Sequence, residues 1–215
     1  MSSSDAADRL RVVLGLGNPG PEYERTRHNV GVRLLAAVHR EAGGDPLRRA
    51  GGVRAALGRI GGREVWLLRS RSFMNVTGEP VAAWMGAMGI PPSQLLVLTD
   101  DMDLPLGRIR IRSGGGTGGH KGLLSLVDAL GTRDFPRLRV GIGSPPPGVD
   151  PADYVLDAWS PEEEKVWESV EPRAAEAVRI ALVEGVGSAM NACNGAPGPQ
   201  GPMGRGDVSE QGGGA

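Results

Sequence analysis

At 215 residues, with 40% hydrophobic and 23% charged residues, the chain is too short for two full domains and apolar enough to bury a core. Its net charge of -1 argues against a protein that coats long nucleic acids by bulk charge, and its single cysteine, Cys193, excludes an internal disulfide. No apolar run is long enough to cross a bilayer, and the acidic opening Met1–Asp8 lacks a secretory pattern, so a soluble, cytoplasmic monomer is expected.

In chain order, Arg11–Gly15 reads as a short buried strand that ends in glycine. The loop that follows, Gly15-Leu16-Gly17-Asn18-Pro19-Gly20, satisfies the G-x-G-x-x-G pattern of dinucleotide-binding loops. Pro19 removes an amide donor, however, Pro21 follows, and helical spacing begins only near Arg27. No acid clearly ends a second strand either. The loop therefore reads as a site rim carrying Asn18, and the dinucleotide reading is disfavoured.

Next comes Thr26-Arg27-His28-Asn29, at the start of a helix whose Val30, Leu34 and Val38 recur at helical spacing through about Arg40. A helix N-terminus disfavours imidazolium and keeps His28 able to accept a proton, and a nearby carboxylate would orient the ring. Taken singly, His28 reads first as a helix cap. Val53–Ile60 and Glu64–Leu68 flank Gly61-Gly62 as a hairpin. Before an expected helix at Val81–Met88, Met74 and Asn75 read either as core and cap or as a side-chain amide placed to polarise a carbonyl.

The buried strand Leu95–Leu98 runs into Asp100-Asp101-Met102-Asp103 at its carboxyl end, where ligands collect in open α/β sheets. The glycine loop occupies the equivalent end of the first strand, so His28 and Asp100 meet if the two strands are neighbours. The acids suit a metal by type, but histidine and cysteine partners are scarce, and no metal is expected. Arg108–Arg112 is expected to be a strand with Arg108, Arg110 and Arg112 on one face. A glycine-rich stretch then leads to His120, Lys121 and a helix at Gly122–Leu130. Amides, a helix start and bases together suggest an anion site. Between Pro105 and Val140 there are seven bases and two acids, which suits a partner held by a few phosphates. A strand follows at Leu138–Ile142. A long helix after Ser160-Pro161 carries the stripe Val166, Val170, Ala174, Val178 and Leu182.

These elements predict a single-domain α/β fold, a three-layer sandwich with a mixed, twisted sheet between helices, over residues 11–194. Residues 1–10 and the Gly/Pro-rich tail 195–215 are expected to be disordered. The tail's collagen-like triplets are too few for a triple helix, and its Arg205-Gly206-Asp207 carries no adhesive role.

Five segments together resemble the bacterial peptidyl-tRNA hydrolases in order and spacing, from about Arg11 to Asn194. They are Gly15–Gly20 with Tyr23 and Thr26–Gly31; Phe73-Met74-Asn75 with Gly78; Asp100 with Asp103-Leu104-Pro105 and Gly107; Gly118-Gly119-His120; and Phe135 with Arg137–Gly143. The resemblance implies hydrolysis of the ester joining a peptide to the 3′ ribose of tRNA, without metal or cofactor. It implies His28 as general base on water and Asp100 as its orienting group. Asn18 and Asn75 would bind substrate and stabilise the oxyanion, and Tyr23 and Met74 would line the site. Arg112 and Arg139 would grip the tRNA 5′ phosphate. One position departs from the pattern: Lys121, a donor-only group that suits a phosphate or a carbonyl, stands where the family usually has asparagine. That departure leaves open a second reading, a catalytically weakened RNA-binding relative of the same fold.

Overall fold

The computed structural model describes residues 9–195; the opening eight residues and residues 196–215, which include Arg205-Gly206-Asp207, lie outside the described residues. Seven strands form one mixed sheet in the order β2-β3-β4-β1-β5-β7-β6. In chain order the elements are β1 (Val12–Gly15), α1 (Val30–Ala42), β2 (Arg48–Ala50), β3 (Val53–Ile60), β4 (Arg63–Ser70), α2 (Gly78–Ala87) and β5 (Leu95–Asp101). Then follow β6 (Ile109–Arg112), α3 (Lys121–Leu130), β7 (Arg137–Gly141), α4 (Pro151–Leu156), α5 (Pro161–Val183) and α6 (Val186–Asn194).

The centre of the sheet is parallel: β1 pairs with β4 and β5, and β5 with β7. These strands read as continuous apolar runs because helices cover both faces. One face carries Val13, Leu96 and Leu98 against Leu34 of α1 and Val178 of α5. The other carries Leu14, Leu68 and Val97 against Met85 of α2 and Leu126 of α3. The result is the three-layer sandwich expected. Hairpin pairing of β3 with β2 and β4, and of β6 with β7, supplies the antiparallel part.

Helix ends follow local chemistry. Gly43 ends α1 in the left-handed region at φ 60°, where a side chain would be strained. Ser160 and Glu163 form a reciprocal capping box at the start of α5. Several boundaries differ from expectation. β5 runs on to Asp101, so Asp100 sits within the strand, and α2 begins at Gly78 rather than Val81. β2 and α4 are too short to announce themselves by periodicity. Arg108 precedes β6 and donates to the carbonyl of Asn194, so three arginines do not share that strand. The side chain of Asn194 also pairs with both backbone groups of Ile111, closing part of the sheet edge.

Gly31 decides how closely α1 approaches the sheet. A Cβ there would collide with the carbonyl oxygens of Leu98 and Leu16, which come from β5 and the loop after β1. Gly31→Ala is therefore expected to destabilise the fold by about 1–3 kcal/mol through overpacking. It should also lower turnover, because His28 enters the sheet three residues earlier. Thermal melting checks this, and an unchanged midpoint would show that the close approach carries no stability.

Candidate active site

β1 and β5 are neighbours, with Gly15 registered against Leu98, so the loop after β1 lies beside Asp100. The chain enters α1 through a 3-10 turn, Arg27–Asn29, which turns His28 inward. This turn is clamped from outside. Arg27 pairs with both oxygens of Glu163 at 2.8 and 3.1 Å, donates to the Tyr154 carbonyl at 3.0 Å, and lies over the Tyr154 ring. Backbone bonds from Arg27 to Asp157 and from Trp159 to Arg25 hold the same segment.

His28 caps nothing. Its Nδ1 lies 3.0 Å from each carboxylate oxygen of Asp100, and both side chains are buried. Donation from Nδ1–H to Asp100 leaves Nε2 as the acceptor, and Nε2 has no protein partner among the described residues. His120 approaches the same carboxylate: its Nε2 is 2.9 Å from Asp100 Oδ1 and 2.8 Å from Thr99 Oγ1. The tautomer follows from the other nitrogen, since Nδ1 accepts from the amides of Gly122 and Leu123 at 3.1 and 3.2 Å. Asp100 thus receives two imidazole N–H groups. Burial alone would raise its carboxyl, but the charge and hydrogen bonds of His120 and His28 outweigh this and hold it well below the usual carboxylate range.

The ligating atoms of His28, Asp100 and His120 lie within 4.8 Å of one another, the grouping a cation uses. Their separations of 2.9–3.0 Å are those of hydrogen bonds, with protons between the groups. A zinc ion would stand about 2.0–2.1 Å from each nitrogen.

Asn18 is fixed as firmly. Its backbone N–H donates to Asn29 Oδ1 at 2.7 Å, and its carbonyl accepts from Asn29 Nδ2 at 3.0 Å. Its Oδ1 accepts from the Met74 amide at 2.8 Å, so Nδ2 is the end left to donate. With Asn29 holding the loop and no helix beginning inside it, Gly15–Gly20 does not present a pyrophosphate cradle.

These groups open into a cleft of about 620 Å³. Asn18, Tyr23, His28, Met74, Asn75, Asp100, Lys121 and Arg139 all line it. Asn75 does not cap α2; it is exposed in the turn Met74–Val76, on the lip of the cleft. Phe73, which the sequence placed in a motif but gave no role in the site, also lines the cleft, is 53% exposed, and meets Tyr23 edge-on at 6.2 Å. Arg112 is outside the cleft lining, on the edge strand β6 opposite Arg137.

The anion-site reading of the glycine stretch needs correction in two respects. The first amides of α3 are already taken by His120. Arg137 is fully buried, donating to the carbonyls of Gly116 and Arg133, so it offers nothing to a ligand. Burial, and then the neighbouring Arg139 and Arg133, push its guanidinium down to about 10. Arg139 is partly exposed and bridges Asp101 at 3.0 Å and the Gly116 carbonyl at 2.9 Å. His120, which sequence reasoning placed only in the basic stretch, is the residue it most underrated. Its signal was there: one of three histidines in the chain, at the N-cap of a helix.

The family described as peptidyl-tRNA hydrolase matches residues 12–200. A peptidyl-tRNA hydrolase of Nocardia farcinica (strain IFM 10152) is 45% identical over 182 residues, covering 84% of this chain and 94% of that protein. One from Aquifex aeolicus (strain VF5) is 42% identical over 190 residues, covering 86% and 96%. The crystal structure of peptidyl-tRNA hydrolase from Acinetobacter baumannii superposes with a TM-score of 0.82 at 32% identity, over 87% of this chain and 96% of that one. With this similarity running through the whole sheet and the cleft at its carboxyl edge, the chain belongs to the peptidyl-tRNA hydrolase family.

Proposed function

We propose that this chain hydrolyses the ester between peptide and tRNA in peptidyl-tRNA, with His28 as general base. The observation that carries the assignment is the buried His28–Asp100 pair at 3.0 Å inside the cleft. Asp100 holds the Nδ1–H tautomer, and Nε2 takes a proton from water. The hydroxide oxygen attacks the ester carbonyl, and the carbonyl oxygen becomes an oxyanion. Asn18 Nδ2, and Asn75 next to the Met74 amide that Asn18 Oδ1 accepts from, donate to it. Collapse breaks the bond to the ribose 3′ oxygen, which takes the proton back from the imidazolium. His120 acts through Asp100, keeping its charge in place by a second N–H. An ester is activated compared with an amide, so one base and a positioned water suffice, and no G-x-S-x-G elbow is present.

Tyr23, Phe73 and Met74 supply an apolar wall for the substrate, and Arg139, Arg112 and Lys121 supply charge for tRNA phosphates. Neither a metal nor an organic cofactor is invoked. No helix among the described residues is long and apolar enough to cross a membrane, and a cytoplasmic monomer fits action on tRNA. The intact His28–Asp100–His120 arrangement favours turnover over the weakened RNA-binding reading. Incubation with an N-blocked aminoacyl-tRNA tests the proposal: free tRNA should accumulate, and binding without release would overturn it.

Lys121 opens α3, where a cation opposes the helix dipole at a cost of about 0.3–1 kcal/mol. It is exposed, lines the cleft, and has no ion pair among the described residues, so its use lies with the substrate. Lys121→Asn is expected to raise KM for tRNA about two- to fivefold and flatten its salt dependence, with kcat nearly unchanged. A rise in kcat at constant KM would show instead that the ammonium is a poor replacement for an amide in the reaction itself.

A further inference from the structure

A second group of arginines lies on the flank of the sheet away from Arg112 and Arg139. Between Pro46 and Gly62 the chain carries Arg48, Arg49, Arg54 and Arg59 and no acid. Strand register lines two of these up with a third. Arg49 of β2 is paired with Arg54 of β3, and Arg54 with Arg69 of β4. Directly paired residues project on the same face, so the three side chains form a row across consecutive strands. That face is the one covered by α1, because Ile60, six residues beyond Arg54, and Leu67, two before Arg69, pack there with Leu34.

Like charges directly opposite one another disfavour a sheet. Among the described residues, no ion pair reaches Arg49, Arg54 or Arg69. Arg48 approaches Asp45 only at 3.9 Å, and Arg59 and Glu64 pair at the far end of the hairpin. The charge of Glu24 acts on Arg69 without an ion pair between them. Burial, and then Arg54, lower the Arg69 guanidinium, with Glu24 opposing. Arg49 and Arg54 are exposed and Arg69 half-buried, so the row is open to a ligand.

The row also lies at the working end of the sheet. Arg69 is registered against Gly15, the residue that opens the loop carrying Asn18. From strand spacings, Arg69 stands roughly 12 Å from Asp100 between Cα atoms, and Arg49 is two strands further out, about 10 Å. Guanidinium groups in such a row match an extended chain of phosphates.

We propose that Arg49, Arg54 and Arg69 form a second phosphate-binding stripe, which grips the backbone of the tRNA substrate on the side of the cleft opposite Arg112 and Arg139. The inference rests on the peptidyl-tRNA reading and adds to it a second anchorage. Two anchors on either side of His28 orient the acceptor end across the cleft, where one would leave it free to pivot.

The test compares the full chain with Arg49→Gln/Arg54→Gln/Arg69→Gln, and with Arg49→Gln/Arg54→Gln, which alters only exposed side chains. Substrates are an N-blocked aminoacyl-tRNA and the same aminoacyl ester on adenosine, which enters the cleft but carries no phosphate for the stripe to hold. For the triple variant, KM on tRNA should rise roughly tenfold and the slope of log affinity against log salt should become shallower by about two to three. The double variant should show part of the same change. Both variants should cleave the adenosine ester as wild type does, which also reports correct folding. Unchanged tRNA affinity and salt slope would overturn the stripe, as would an equal loss on both substrates. Binding of uncharged tRNA, measured in parallel, reads the stripe independently of turnover. Wild type that cleaves neither ester would sink the hydrolase reading, while the binding series still decides the stripe.

Discussion

His28→Ala is expected to lower kcat for an N-blocked aminoacyl-tRNA by roughly 10²–10⁴-fold, the range set by loss of a positioned general base. KM should change little, because in the proposed mechanism the imidazole acts on water and cations elsewhere hold tRNA. Since His28 is buried, alanine also leaves a void beside Asp100 and removes one of its donors. His28→Asn separates these effects. Its amide N–H can replace Nδ1–H toward Asp100, yet it has no basic nitrogen. If the base assignment is right, both variants lose activity alike, and the asparagine variant keeps more of the thermal stability. Turnover near wild type in either would remove His28 from the reaction.

Asp100→Asn should lose activity on a similar scale, about 10²–10⁴-fold, for a different reason. The carboxylate accepts from two imidazoles at once. An amide offers one oxygen and an N–H₂. Facing His28, the N–H₂ would donate to Nδ1 and force the ring proton to Nε2, where no proton can then be taken from water. Facing His120, it would meet an N–H whose proton is fixed by the two amides behind it. The variant therefore keeps the shape of the site and loses its tautomer.

Asp100 also gives a pH signature. Its folded-state value lies below the ordinary carboxylate value of about 4, despite burial, because His120 and His28 favour the charged form. The unfolded chain therefore binds this proton more readily. The stabilisation is fully present above about pH 4 and is lost as pH falls toward the folded-state value. In urea titrations between pH 5 and 2, stability of Asp100→Asn should fall less steeply than that of wild type. Parallel curves would mean that the carboxylate is not held in its charged form by the fold.

Much of the site was legible in the sequence because it sits on short segments whose chemistry is local. Gly15–Gly20 follows a buried strand, Asp100 lies at the end of another, and two prolines, a late helix start and a missing acid counted against the dinucleotide loop. Where reading failed, the missing quantity was spatial. Asn75 suited a cap, but α2 starts three residues later. Arg137 counted toward a basic patch, but its guanidinium is turned inward to carbonyls under the glycine stretch. His120 looked like part of an anion site, but it consumes the helix amides that would have bound the anion.

The residue types and their order along the chain determined the three-layer α/β class, the strand ends where the site lies, and the candidates His28 and Asp100. Apolar runs, glycine breaks and caps are short-range signals, each set by neighbours within a few residues. Order and register of the parallel strands belong to the tertiary structure alone, because they depend on partners scores of residues away. That order set β1 beside β5, brought a second histidine onto Asp100, and carried the hairpin row of Arg49, Arg54 and Arg69 to the same end of the sheet.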